Sequence, residues 1–183
     1  MAVTPLDENV ALIVIDLQKG IVALPLMDEP QQVIHQAGKL ISAFRKRQKP
    51  VVLVNVRGGA PGRNELPKHT AALPSDWSDF IPEVVPQPED WLITKRSWGA
   101  FAHTTLDEQL RAAGVTQVVI CGIATSIGVE STARQAYELG YNVCLATDAM
   151  LDLNAEAHHN SLSRIFPRLG ESATTSQLLQ LLA

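Results

Sequence analysis

The chain has 183 residues, 46% of them hydrophobic and 19% charged, which suits a globular protein with a sizeable buried core. A net charge of −4 gives no electrostatic argument for nucleic acid or an anionic membrane as partner, and no apolar run approaches the roughly 20 residues of a membrane span. No basic region followed by a long apolar stretch heads the chain, so a cytoplasmic protein is expected.

Strand-type and helix-type patterns alternate along the chain. Ala11-Leu12-Ile13-Val14-Ile15-Asp16 is a continuous apolar run, rich in β-branched residues and closed by a charge. A helix over 31–46 carries Val33, Ile34, Ala37, Leu40, Ile41 and Phe44 on one face, and the basic run Arg45 to Lys49 complements its dipole. Val51 to Arg57 is the second strand. Residues 58–90, with Gly58-Gly59-Ala60-Pro61-Gly62 and prolines 67, 74, 82, 86 and 88, break the alternation and predict a lid or an oligomer contact. Trp91 to Lys95 is a third strand. Thr105-Leu106-Asp107-Glu108 has the spacing of a capping box, opening a helix that ends before Gly114. Val115 to Cys121 is a fourth strand, followed by a helix from about Ser126 to Gly140. Asn142 to Thr147 is a fifth strand, and a helix over 155–165 stops before Pro167. Glu171 to Ala173 suits a short edge strand, and Thr174-Thr175-Ser176-Gln177 caps a last helix. Largely apolar strands are buried on both faces, so the order predicts one three-layer, doubly wound α/β domain over residues 1–183 with a mainly parallel sheet. Cys121 and Cys144 lie within apolar strands and read as small buried hydrophobes.

In open α/β sheets, ligands bind outside the carboxyl ends of the strands. Asp16, Lys95 and the turn Ile123 to Gly128 fall at such ends. A carboxylate, an ammonium and a turn that aims backbone N–H groups at one point would together make a pocket for acid–base work. On pattern alone Asp16 reads equally as a turn or cap residue, and Lys95 as a solvated charge. Gln18, two residues past Asp16, would share its side of an extended chain and orient its carboxylate. Arg57 at the end of the second strand, or Arg63, would clamp a substrate carboxylate; the plainer reading is a solvated loop arginine. Trp98 suits a pocket wall, Phe101 the core, His103 the surface, and Asp148 a turn or cap. The strand-to-helix turn is where a nucleophilic cysteine would be most activated, yet Gly128 stands there.

Four linked stretches resemble the isochorismatase-like hydrolases of the cysteine hydrolase superfamily. They are Ile15-Asp16-Leu17-Gln18, Thr94 to Phe101, Cys121 to Arg134, and Thr147-Asp148-Ala149. The resemblance covers nearly the whole chain. It implies strand order 3-2-1-4-5-6, a cis peptide at Ile123–Ala124, and a homo-oligomer, dimer or tetramer. The family's Asp, Lys and Cys triad maps onto Asp16, Lys95 and Gly128, so the thiol is absent. Cys121, seven residues earlier and within the strand, is no substitute. Thioester chemistry on amides is then unavailable. The true isochorismatases are the family's precedent for glycine here, with the Asp as proton donor to a vinyl ether and water completing cleavage. Ala124 and Thr125 follow the cysteine-hydrolase form of the turn instead. The resemblance thus implies hydrolysis of a small anionic metabolite without a covalent cysteine intermediate or, alternatively, a ligand-binding relative without turnover. Nicotinamidases bind zinc through an Asp-x-His and a second His after the second strand. Asn55 to Gly59 has no such motif, His69 is isolated, and adjacent His158 and His159 would point apart on a helix, so neither metal nor cofactor is expected.

Overall fold

A computed structural model describes residues 4–66 and 72–182; Pro67 and His69 lie outside them. Six strands form one parallel sheet: β1 (Val10–Ile15), β2 (Val51–Val56), β3 (Trp91–Lys95), β4 (Gln117–Ile123), β5 (Asn142–Leu151) and β6 (Glu171–Ala173). Their order is β3-β2-β1-β4-β5-β6, the doubly wound arrangement expected. Among the helices are α1 (Lys19–Val22), α2 (Gln31–Lys46), α3 (Leu106–Ala112), α4 (Glu130–Glu138), α5 (Ala155–Asn160), α6 (Phe166–Leu169) and α7 (Thr175–Leu181).

Alternation along β1 explains the three layers. Leu12 and Val14 join one core with Val33, Ala37, Leu40 and Phe44 of α2 and Leu178 of α7. Ala11, Ile13 and Ile15 join the other with Leu106 and Leu110 of α3, Ala133 and Ala136 of α4, and Phe166. Successive side chains of a strand face opposite ways, so a strand covered on both sides must be apolar throughout.

Several expectations need correction. β5 runs on to Leu151, because a register shift opposite Cys121 lets it resume pairing, Gly122 with Met150 and Ile123 with Leu151. Asp148 lies inside that irregularity and accepts from Thr175 N–H and Oγ1, an anchor for α7. Thr105 does not cap α3: its backbone sits at φ −90°, ψ 9° rather than extended, and its hydroxyl accepts from Gln109 instead. The helical path continues through Pro167 because a π-helical turn, Ser161–Ile165, lets α6 begin afresh with proline in its first turn, where no intrahelical N–H partner is needed. Thr174 and Gln177 do form a reciprocal capping box at α7.

Candidate active site

β1 lies between β2 and β4, and the chain winds outward from it in both directions. The crevice of such a sheet opens at this reversal, beyond the carboxyl ends of the strands. Asp16 follows β1 directly and takes φ 52°, a left-handed conformation that Asp tolerates better than most residues. Lys95 ends β3, two strands away, a separation of about 10 Å at ordinary strand spacing. The combined reach of a lysine and an aspartate closes that gap: Lys95 Nζ lies 2.7 Å from Asp16 Oδ2. Both side chains are buried, with Asp16 4% and Lys95 2% exposed.

The pair is incompletely satisfied. Lys95 Nζ also donates to Ser97 O at 3.2 Å. Asp16 Oδ1 is buried with no hydrogen-bond partner among the described residues. Burial disfavours the carboxylate more than the neighbouring ammonium favours it, so the Asp16 carboxyl is raised to about 6. A proton donor active near neutral pH needs this property.

Gly128 comes to the pair from the opposite side, in a π-helical turn, Thr125–Val129, that leads from β4 into α4. A Cβ on Gly128 would lie 3.3 Å from Asp16 Oδ2 and 3.6 Å from Lys95 Nζ. It would also stand 2.9 Å from Ile15 Cγ2, closer than a Cβ ordinarily comes, so Ile15 or the turn has to shift before a side chain fits at Gly128. The peptide bond Ile123–Ala124 is cis. Ser126 N–H is held by Asp152 Oδ2 at 2.6 Å, and Thr125 Oγ1 is hydrogen-bonded to His158 Nδ1 at 2.8 Å. These two contacts fix the turn from β5 and α5. No motif in the sequence marks Asp152, and His158 reads there only as one of an adjacent pair.

Asp16, Lys95, Ala124, Gly128 and Trp98 all border one cavity of about 220 Å³. Ile21, Leu24, Trp77, Ile127 and Leu153 give it apolar walls, and Gly58 and Gly59 lie at its edge. Trp98 is 63% exposed. Two residues named from the sequence stand off the cavity. Gln18 does not turn toward Asp16. The positive φ of Asp16 ends the extended chain, so alternation no longer puts both on one side. Its buried amide instead accepts from Val56 N–H at 2.7 Å and donates to Val56 O and Trp77 O at 3.1 and 3.2 Å. Arg57 is exposed, and among the described residues only its backbone is engaged, N–H to Lys95 O at 2.9 Å. Arg63 and His103 are also exposed, and Phe101 is in the core.

Trp77 was not anticipated. It comes from the Pro-rich segment, whose far end is tied to α1: Lys19 N–H donates to Asp79 O and Gly20 N–H to Trp77 O. The indole packs where a side chain on Gly20 would have to sit. A tryptophan within the proline-rich segment was the available signal. Among the described residues, no three His, Cys, Asp or Glu side chains gather as a metal site would require.

Residues 10–177 match the model of the isochorismatase domain family. The uncharacterised isochorismatase family protein YwoC of Bacillus subtilis is 45% identical over 180 residues, 94% of each chain. The corresponding protein YecD of Escherichia coli O157:H7 is 41% identical over 184 residues, 96% of this chain and 97% of its own. A solved isochorismatase family protein from Burkholderia thailandensis matches with a TM-score of 0.92 at 40% identity, covering 98% of both chains.

Proposed function

Since the chain belongs to the isochorismatase family, we propose that it hydrolyses a small anionic metabolite by proton transfer from Asp16, with no covalent intermediate on a cysteine. The observation that carries this reading is the geometry around Gly128. The position that would carry a nucleophile bears no side chain, and a Cβ there would stand 3.3 and 3.6 Å from the buried Asp16–Lys95 pair. What remains is a carboxyl poised to donate a proton and an ammonium, beside a cavity that can hold the reacting group.

A vinyl ether suits these groups. Asp16 delivers its proton to the terminal alkene carbon, leaving positive charge shared between the ether carbon and oxygen. Water adds at that carbon, loses a proton, and the hemiketal collapses to a ketone and an alcohol. Lys95 holds the substrate anion. Once Asp16 is protonated, the Lys95 ammonium is a buried cation without a counter-charge, and an anionic substrate restores neutrality. Amide hydrolysis through a thioester has no nucleophile here.

A ligand-binding relative without turnover is the second reading. The Ala124–Thr125 turn favours it, since it keeps the cysteine-hydrolase form around a position that lacks the cysteine. One experiment separates the two: turnover of isochorismate, simpler vinyl ethers, nicotinamide and N-carbamoyl amides by wild type, Asp16→Asn and Gly128→Cys. Vinyl-ether cleavage by wild type, reduced at least about 100-fold in Asp16→Asn, is the expected result for a general acid. Full turnover in Asp16→Asn would remove Asp16 from the chemistry. Silence from wild type, with amide hydrolysis only in Gly128→Cys, would establish the binding protein.

A further inference from the structure

The walls of the cavity say more about the substrate than the reacting groups do. Leu24, Trp77, Trp98, Ile127 and Leu153 line it, and among the described residues Lys95 is the one cationic side chain that does. An ammonium has three donors. Lys95 directs one to Asp16 Oδ2 and one to Ser97 O, so one remains for a ligand. Asp16, which also borders the cavity, keeps one carboxyl oxygen buried without a hydrogen-bond partner among the described residues. A second ligand carboxylate would meet either that carboxyl group or an indole or aliphatic wall, where an unpaired charge is strongly disfavoured.

Size narrows the choice further. An apolar cavity of about 150 Å³ takes a benzene molecule, and this one measures about 220 Å³. One ring and a short substituent fill it. Trp77 and Trp98 both line it, two aromatic surfaces suited to a flat body, and Trp98 is largely exposed.

We infer that the site takes a monoanion: one carboxylate held by Lys95 on a flat, apolar body of about one ring, in preference to a dianionic or polyhydroxylated substrate. This rests on the reading of the Asp16–Lys95 cavity as the substrate site, but not on turnover. Dianions such as isochorismate are then poor ligands, and the natural substrate is a singly charged vinyl ether on an aromatic or otherwise flat apolar group.

The test is equilibrium binding at pH 7.5, followed by tryptophan fluorescence and calorimetry, with benzoate, phthalate and benzyl alcohol as probes. Benzoate is expected to bind at least tenfold more tightly than either of the others. Lys95→Met should lower benzoate affinity at least tenfold and leave benzyl alcohol unchanged. Leu24→Arg, at an exposed edge of the cavity, supplies a second cation without disturbing the buried pair and should bring phthalate to parity with benzoate or beyond. Phthalate binding wild type as well as benzoate does, or benzoate affinity unchanged in a folded Lys95→Met protein, would overturn the inference. So would phthalate remaining excluded from Leu24→Arg. Benzoate selectivity with no vinyl-ether turnover would sink the hydrolase reading alone, whereas Asp16-dependent turnover without that selectivity would sink only the monoanion.

Discussion

Asp16 is governed by two opposed effects, and their balance sets the pH at which the site works. Burial raises its carboxyl and Lys95 lowers it, leaving it at about 6. A general acid must carry its proton. kcat/KM for vinyl-ether cleavage should therefore be flat below pH 6 and fall tenfold per unit above it; a rate that climbs through pH 6 would make the ionised carboxylate the active form and reverse the role assigned to Asp16. That Asp16, Lys95 and Gly128 meet was legible because each stands at a strand end or in the turn after one, and strand ends share one side of a parallel sheet. Gln18 and Arg57 were not. Gln18 was placed by an alternation that the left-handed backbone of Asp16 cancels, and its amide serves partners far away in sequence. Arg57 follows a strand end too, but nothing in its neighbourhood on the chain tells an inward side chain from an outward one.

At the level of elements, the wall carrying Trp77 depends on a few backbone ties. Gln18 bonds both the end of β2 and Trp77, and Ile81 N–H bonds Leu17 O. Gln18→Leu keeps the volume but leaves Val56 N–H, Val56 O and Trp77 O without that partner. A cost of about 2–4 kcal/mol follows from buried groups losing their bonds. Urea unfolding should show the loss together with weaker ligand binding, as Trp77 leaves the wall; an unchanged midpoint would mean that water or the loop replaces all three contacts. α2 and β3 were readable to the residue because periodicity and strong end signals coincide. The four residues of α1 have no period to read, and contacts with residues 77 and 79 hold them. The extra length of β5 was hidden because Asp148 resembles a strand end, when it anchors α7 from within the strand.

For the molecule as a whole, the sheet's reversal at β1 gathers side chains from β1, β3 and the turn after β4 at one point, held by both cores. Folding then forces Asp16 and Lys95 into a buried position whether or not a ligand is present. The folded carboxyl at about 6 exceeds its ordinary value of 3.8, so the folded state holds this proton more tightly than the unfolded chain. The resulting stabilisation is fully present below pH 3.8 and is lost as pH rises through 6. Two units correspond to roughly 3 kcal/mol. The Tm of wild type relative to Asp16→Asn should therefore fall between pH 4 and pH 7, and a difference independent of pH would mean that Asp16 ionises normally in the fold.

The single ammonium beside Asp16 also couples binding to the solvent. A carboxylate ligand takes a share of the Lys95 charge that otherwise favours ionised Asp16, so the complex holds its proton to higher pH than the free protein. The molecule becomes a proton acceptor when it binds. At pH 7, titrating benzoate should draw a fraction of a proton from the buffer, and the observed heat should shift with the buffer's ionisation enthalpy. Asp16→Asn should show one enthalpy in every buffer.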